Sequence, residues 1–154
     1  NEALLAALKD HEFFAQGFPK TTGPELFNLQ YLDRAKQRSQ STTVSNEDTM
    51  ATLNRFSAET IADAVNAVAG NGQPFSLFVS GGGMHNPLLM EHIVSLLPGA
   101  SLKNTAVLDI PPDAKEAVLF AVLANEAVGG GNIHFGSGRN GIPGVSMGKI
   151  SFPL

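Results

Sequence analysis

Apolar positions fall into blocks along the chain, and the spacing inside each block predicts its element. Leu4, Leu5 and Leu8 share one face at helical spacing, which predicts a helix over residues 1–9. The pair Phe13-Phe14 follows, then a break at Gly17-Phe18-Pro19. The stretch from Pro19 to Pro24 cannot be helical, and Pro24 suits the first turn of a helix in which Leu26, Leu29 and Leu32 recur every third residue. Residues 37–46 are polar, rich in Ser and Thr, and read as a loop. Ser45 and Asp48 then form a capping-box pattern ahead of Met50, Leu53, Phe56, Ile61, Val65 and Val68. These six predict the longest helix, ended by Gly70-Asn71-Gly72.

The second half changes period. Phe75 to Val79 is a short continuous apolar run between turn signals and predicts a buried strand. Gly81, Gly82 and Gly83 follow it. Asn86 is a good N-cap, Pro87 suits the first helical position, and Leu89, Ile93, Leu96 and Leu97 form one stripe before Pro98-Gly99 stops the helix. A second strand is expected within residues 100–108. Asp113 and Glu116 suggest another cap, ahead of a face made by Ala117, Phe120, Ala121, Ala124 and Val128. Residues 129–144 hold seven of the sixteen glycines and predict a surface loop, with residues 147–152 returning as a strand. There is no internal repeat. The order predicts an α/β fold, helix-rich with an incomplete sheet.

Composition narrows the function. At 154 residues the chain fits one domain or one lobe of a larger one. Hydrophobic residues make up 43% and charged residues 16%, enough for a core and unlike a disordered chain. With no Cys, disulfides, thiolate metal sites and cysteine nucleophiles are excluded, which suits a reducing, cytoplasmic setting. A net charge of −4, one Tyr and no Trp argue against a nucleic-acid partner. Apolar runs are far too short for a membrane span, and the opening residues read as a helix rather than a signal peptide.

The chemistry concentrates between Phe75 and Pro87. A strand delivers the chain to three glycines that let backbone approach a ligand, and the next helix begins at once with free N–H groups and its positive dipole end. That combination suits a nucleotide, although the same turn also serves as a plain connector. A dinucleotide fingerprint is excluded: Gly81-x-Gly83-x-x is followed by Asn86, and no acidic residue lies at 101–108. A Walker A loop is excluded too, since Met84-His85-Asn86 replaces Gly-Lys-Ser/Thr. An adenosine-like group therefore suits this turn better than a whole triphosphate.

Four segments carry a resemblance. Gly81-Gly82-Gly83-Met84-His85-Asn86-Pro87-Leu88-Leu89-Met90 resembles the adenosine-side motif of anhydro-N-acetylmuramic acid kinases. Residues 113–124, from Asp113 through Glu116 and Phe120 to Ala124, are similar to that family's E-A-x-x-F-A-x-L-A helix. Phe18-Pro19-Lys20-Thr21-Thr22-Gly23-Pro24-Glu25-Leu26-Phe27 resembles its P-P-K-S-T-G-R-E-x-F segment, and Met147-Gly148-Lys149-Ile150 its closing L-G-x-I. Pro24 stands where the family has Arg, and Gly136-Ser137-Gly138-Arg139 replaces a T-G-A stretch.

The resemblance implies the C-terminal RNase-H-like lobe of a sugar kinase, chaperone and actin superfamily fold. It would comprise residues 1–45 as a helical extension with a cleft loop and residues 46–154 as the nucleotide-side core. It implies ATP and Mg as cofactors. The implied reaction opens a 1,6-anhydro bridge with water and phosphorylates O6 of 1,6-anhydro-N-acetylmuramic acid or, in a related branch, levoglucosan. Gly81, Gly82, Gly83 and Asn86 would receive the nucleotide, and Glu116, Lys20 and Thr22 the sugar. Glu116 reads equally as the N3 residue of a capping box with Asp113. The family's phosphate-loop motifs, D-G-T and G-T-S-x-D-G, do not occur in the chain, so no catalytic residue is assigned. The chain by itself is expected to lack kinase activity and to need a missing N-terminal lobe or self-association. The competing expectation is a non-catalytic helical interaction domain descended from such a kinase. The four His are scattered without carboxylates at ligand spacing and read as surface or packed residues rather than metal ligands.

Overall fold

The computed structural model describes residues 1–69, 74–129 and 151. Contacts divide the chain into two compact units, Asn1–Leu77 with Gly83–Leu102, and Phe78–Gly82 with Lys103–Leu154.

In the first unit, α1 (Glu2–Lys9) starts where the Asn1 side chain accepts the Leu4 N–H at 2.9 Å. Its three leucines are all buried, as their spacing predicts. A one-turn helix, α2 (Glu12–Ala15), carries Phe13 and Phe14. The next helix, α3 (Leu29–Arg38), begins later than Pro24. The chain turns first: the Leu26 and Phe27 N–H groups both donate to the Gly23 carbonyl, and Asn28 supplies the cap, accepting the Tyr31 N–H at 3.0 Å. This start also changes the buried stripe. Leu29 is 78% exposed, whereas Ala35 is sealed and Tyr31 and Leu32 pack beside it.

Ser45 opens α4 (Asn46–Ala69) by accepting the Asp48 N–H at 3.0 Å. The helix has the expected extent; its fully buried residues are Thr49, Thr52, Ala58 and Ala62, while Leu53, Phe56 and Val65 of the large apolar set pack against the cores partly buried. Met50 is 66% and Val68 73% exposed. Small side chains let neighbouring helices approach closely. The two threonines tolerate burial because their hydroxyls donate back to the Ser45 and Asp48 carbonyls at 2.7 and 2.6 Å. Two small cores result. Leu4, Leu8 and Ala35 meet Leu53 and Phe56, while Ala58 and Ala62 meet Ile93 and Leu97. Ion pairs lace α1 to α4: Lys9 reaches Glu59 at 2.8 Å and Asp63 at 3.0 Å, and Arg55 bridges Glu2 and Glu59.

Strand β1 (Phe75–Val79), helix α5 (Pro87–Leu96) and strand β2 (Ala100–Asn104) form a β-α-β unit with a two-stranded parallel sheet. The expectation that β1 is a sealed strand is corrected: both strands alternate partly buried and exposed residues, because two strands cannot cover each other's faces. β2 stops at Asn104, short of Leu108, since the Asn104 side chain accepts the Ala106 N–H and caps a 3-10 turn over Thr105–Leu108. Of the α5 stripe, Ile93 and Leu97 are buried and Leu96 faces outward.

In the second unit, a 3-10 turn over Pro112–Ala114 leads into α6 (Lys115–Val128). The cap position of α6 is Ala114, one residue after the expected Asp113, and the Ala114 side chain makes no cap hydrogen bond. None of the α6 face is buried; Phe120 is 65% exposed. The glycine-rich loop at 129–144 lies outside the described residues after Gly129, as does the return strand at 147–152 apart from Ser151. No helix among the described residues is long and apolar enough to cross a membrane.

Candidate functional site

The glycine corner is built by the two elements that flank it. Gly81 follows β1 with φ +86°, a left-handed conformation that strains any L side chain, and its N–H donates to the Pro112 carbonyl at 3.1 Å within the second unit. Among the described residues, a Cβ added at Gly81 or Gly82 would meet nothing within 4 Å. A 3-10 turn over Gly82–His85 continues the chain. In the first unit, the Asn86 N–H closes onto the Gly83 carbonyl at 3.1 Å. The Asn86 side chain then accepts the Leu89 N–H at 3.1 Å, and Pro87 occupies the first turn of α5. Gly82, Gly83 and Asn86 are exposed.

Lys20 and Thr22 are both turned inward to their own loop. The Lys20 ammonium donates to the Phe13 and Phe14 carbonyls at 2.9 and 3.1 Å and lies over the Phe13 and Phe18 rings. It thereby closes the C-terminal end of α2, where carbonyls lack helical partners. The Thr22 hydroxyl donates to the Glu25 carboxylate at 3.3 Å, and the Gly23 N–H does so at 2.6 Å. Bonding to its own backbone N–H, then to Gly23 and Thr22, holds the Glu25 carboxyl below its ordinary range despite partial desolvation. Gly23 permits this fold-back, since a Cβ there would lie 2.7 Å from Glu25 Oε2. Glu116 is exposed on the first turn of α6 in the second unit.

Three hollows in the first unit were not legible beforehand. An aromatic one of about 690 Å³ is lined by Phe13, Phe14, Phe18, Phe27 and Phe56. A polar one of about 470 Å³ is lined by His11, Glu25, Tyr31, Arg34 and Arg38. A third, of about 520 Å³, joins α4 to the start of α5 and is lined by Met50, Leu53, Asn54, Ser57, Asn86 and Leu89 among others. Phe13, Phe14, Phe27, Tyr31 and Phe56 stack edge to face around the first, a cluster assembled from distant positions that no local spacing announces. Among the described residues no three His, Cys, Asp or Glu stand close enough to hold a metal ion.

A family model described as anhydro-N-acetylmuramic acid kinase matches residues 1–150. The chain belongs to that family. A protein named anhydro-N-acetylmuramic acid kinase from Pseudoalteromonas atlantica is 56% identical over 151 residues, covering 97% of this chain and 38% of that protein. Those of Pseudoalteromonas translucida and Vibrio cholerae are 52% and 38% identical, each over 99% of this chain and 38% and 40% of their own lengths. This family member therefore spans about two fifths of the curated relatives it matches. A helix-rich α/β architecture agrees with the sequence expectation.

Proposed function

We propose that the chain is the adenosine-holding part of an ATP-dependent anhydro-sugar kinase, within an RNase-H-like C-terminal lobe. The observation that carries this reading is the bare glycine backbone, Gly81 to Gly83, followed at once by the capped, exposed start of α5. Membership of the kinase family supplies the reaction class: attack of water on a 1,6-anhydro bridge with phosphorylation of the released O6, on 1,6-anhydro-N-acetylmuramic acid or levoglucosan. When bound, ATP supplies the phosphoryl group. The residues in hand bind and orient it: Gly81 and Gly82 offer unobstructed backbone, Gly83 follows against Leu89, and Asn86 caps the α5 N-terminus, whose dipole favours negative charge. Among the described residues no cluster of carboxylates fit to hold Mg is found.

Lys20 and Thr22 support the sugar reading as organisers of the loop rather than through groups left free for a ligand. Glu116 stands exposed and able to accept sugar hydroxyls. By itself the chain binds nucleotide without turning over, because phosphoryl transfer needs phosphate, metal and nucleophile positioned together. Calorimetric titration tests this: saturable ATP binding with no ATP-dependent phosphorylation of an anhydro-sugar is the expected result. Failure to bind ATP refutes it. A second reading, a non-catalytic interaction domain of kinase descent placed in a cytoplasmic assembly, is favoured by the uncovered apolar surface of α6. Light scattering that shows concentration-dependent association without nucleotide binding would support that reading instead.

A further inference from the structure

The polar hollow bounded by α3, the His11 cap and the Glu25 turn holds two opposite charges that do not meet. Glu25 and Arg34 both line it, yet they form no ion pair with each other. Arg34 is exposed and makes no hydrogen bond or ion pair among the described residues. Glu25 Oε1 accepts the Thr22 hydroxyl and the Gly23 N–H, and bonding of this kind favours the ionised carboxylate. That carboxylate keeps lone pairs for a further donor. The second guanidinium of the lining is already engaged: Arg38 donates to the Ala7 and Asp10 carbonyls and faces the Asp10 carboxylate at 3.6 Å. Asn28 is consumed in the α3 cap, and the Tyr31 hydroxyl donates to the Leu8 carbonyl. His11 Nδ1 accepts the Phe13 N–H at 3.1 Å, which leaves Nε2 as a donor. Gln30 and Gln37 also line the hollow, one turn before and after Arg34, and their side-chain amides make no hydrogen bond among the described residues. Arg34 and Glu25 are thus the charges left for a ligand, one of each sign, in a space of about 470 Å³ that falls within the range of small-molecule sites.

We propose that this hollow binds a small zwitterion carrying a carboxylate and an ammonium group, the class of amino acids and short peptides, with Arg34 receiving the carboxylate and Glu25 the ammonium. A simple anion would gain Arg34 and face Glu25, and a simple cation would meet the reverse. A ligand bearing both charges satisfies both walls. The guanidinium presents paired N–H groups that match two carboxylate oxygens, and the three N–H groups of an ammonium suit the free lone pairs of Glu25. Gln30 and Gln37 each offer an amide donor and acceptor beside Arg34, able to bond a peptide link. Concave walls that displace part of the water strengthen such contacts relative to a flat surface. None of the lining residues belongs to the glycine corner, so the site stands apart from the nucleotide reading.

The test is an NMR titration of the isotope-labelled chain with glycine and with diglycine, beside forms of each whose amine is acetylated or whose carboxylate is amidated. Saturable amide shifts at residues 25–38 are expected, and capping either end should weaken binding about fivefold, the upper range for an exposed ion pair. Arg34→Gln should bind the free zwitterion about fivefold more weakly and no longer distinguish a free carboxylate from an amidated one. Glu25→Gln should likewise cease to distinguish a free amine from an acetylated one. Urea unfolding accompanies Glu25→Gln, because Glu25 also holds its own loop, whereas Arg34→Gln lies on an exposed position of α3 and tests the site without that loop. Saturation by glycine supports the free amino acid as ligand, and saturation by diglycine alone supports the peptide. Absence of a saturable shift with both probes overturns the proposal. Equal binding of capped and uncapped forms overturns it too, as does an Arg34→Gln chain that still prefers the free carboxylate.

Discussion

The assembly of α1, α3 and α4 and the single helix α6 place their apolar residues differently. In the first, apolar residues are confined to facing stripes, and Leu4, Leu8 and Ala35 are sealed. In α6, Val118, Leu119, Phe120 and Val122 run around the helix, and none is buried. A helix that is apolar all round belongs inside a larger body, whereas an amphipathic one can close a small core with two neighbours. The contrast also separates charge use. Lys9, Arg55 and Glu59 stitch α1 to α4, while α6 carries Lys115 and Glu116 in its first turn and Glu126 in its last.

The largest test of that contrast is truncation in each region. Leu8→Ala removes a fully buried side chain and is expected to cost about 2–5 kcal/mol in urea unfolding. Leu119→Ala on α6 should change the same measurement by less than about 0.5 kcal/mol. Equal losses would show that α6 shares the cooperative core. Lys20→Met is next. Removing its two carbonyl contacts should cost about 1–2 kcal/mol of stability. A variant of unchanged stability but weakened sugar binding in the full-length kinase would make Lys20 a ligand group instead. Asn86→Ala should cost about 1 kcal/mol through loss of the α5 cap, read as a lowered urea midpoint.

The smallest effect is a pH dependence confined to the stitched region. Hydrogen bonding to Lys9, then to Arg55, holds the Glu59 carboxyl below its ordinary 4.5 in spite of desolvation. A carboxylate depressed in the folded state stabilises above its unfolded pKa, and that contribution disappears as pH falls through the folded pKa. Lys9, raised above 10.5 chiefly by Glu59, gives the mirror case: its contribution is full below 10.5 and is lost as pH rises through the folded pKa. Glu59→Gln should therefore flatten the fall in urea midpoint below pH 4.5 and the fall above pH 10.5. An unaltered profile at both ends would remove the ion pairs from the account.

Much of the fold was legible because its signals are local. Ser45, Asn86 and the Leu4-Leu5-Leu8 stripe each act within one helical turn, so residue type and spacing suffice. The β1–glycine–α5 passage was legible for the same reason, and so was the open backbone at Gly81 and Gly82. The burial of α4 was not. Its large apolar residues pointed to one face, but close packing against α1 and α5 is set by what fits between helices, and Ala58, Ala62 and the back-bonded threonines fit. The surroundings of the candidate sugar residues were not legible for a related reason. Lys20 and Thr22 looked available in the sequence, but their partners, the Phe13 and Phe14 carbonyls and the Glu25 carboxylate, exist only once the loop folds back.

The order of residues determined the starts of α1, α4 and α5, the β-α-β passage, the glycine corner and membership of the kinase family, since each depends on neighbours within a few positions or on motif text. Tertiary structure alone decided which side chains are sealed, which polar groups are consumed and which are left wanting. Asn54 is the plain case: its Oδ1 is buried without a hydrogen-bond partner because of what surrounds α4 in space, and no spacing along the chain encodes that.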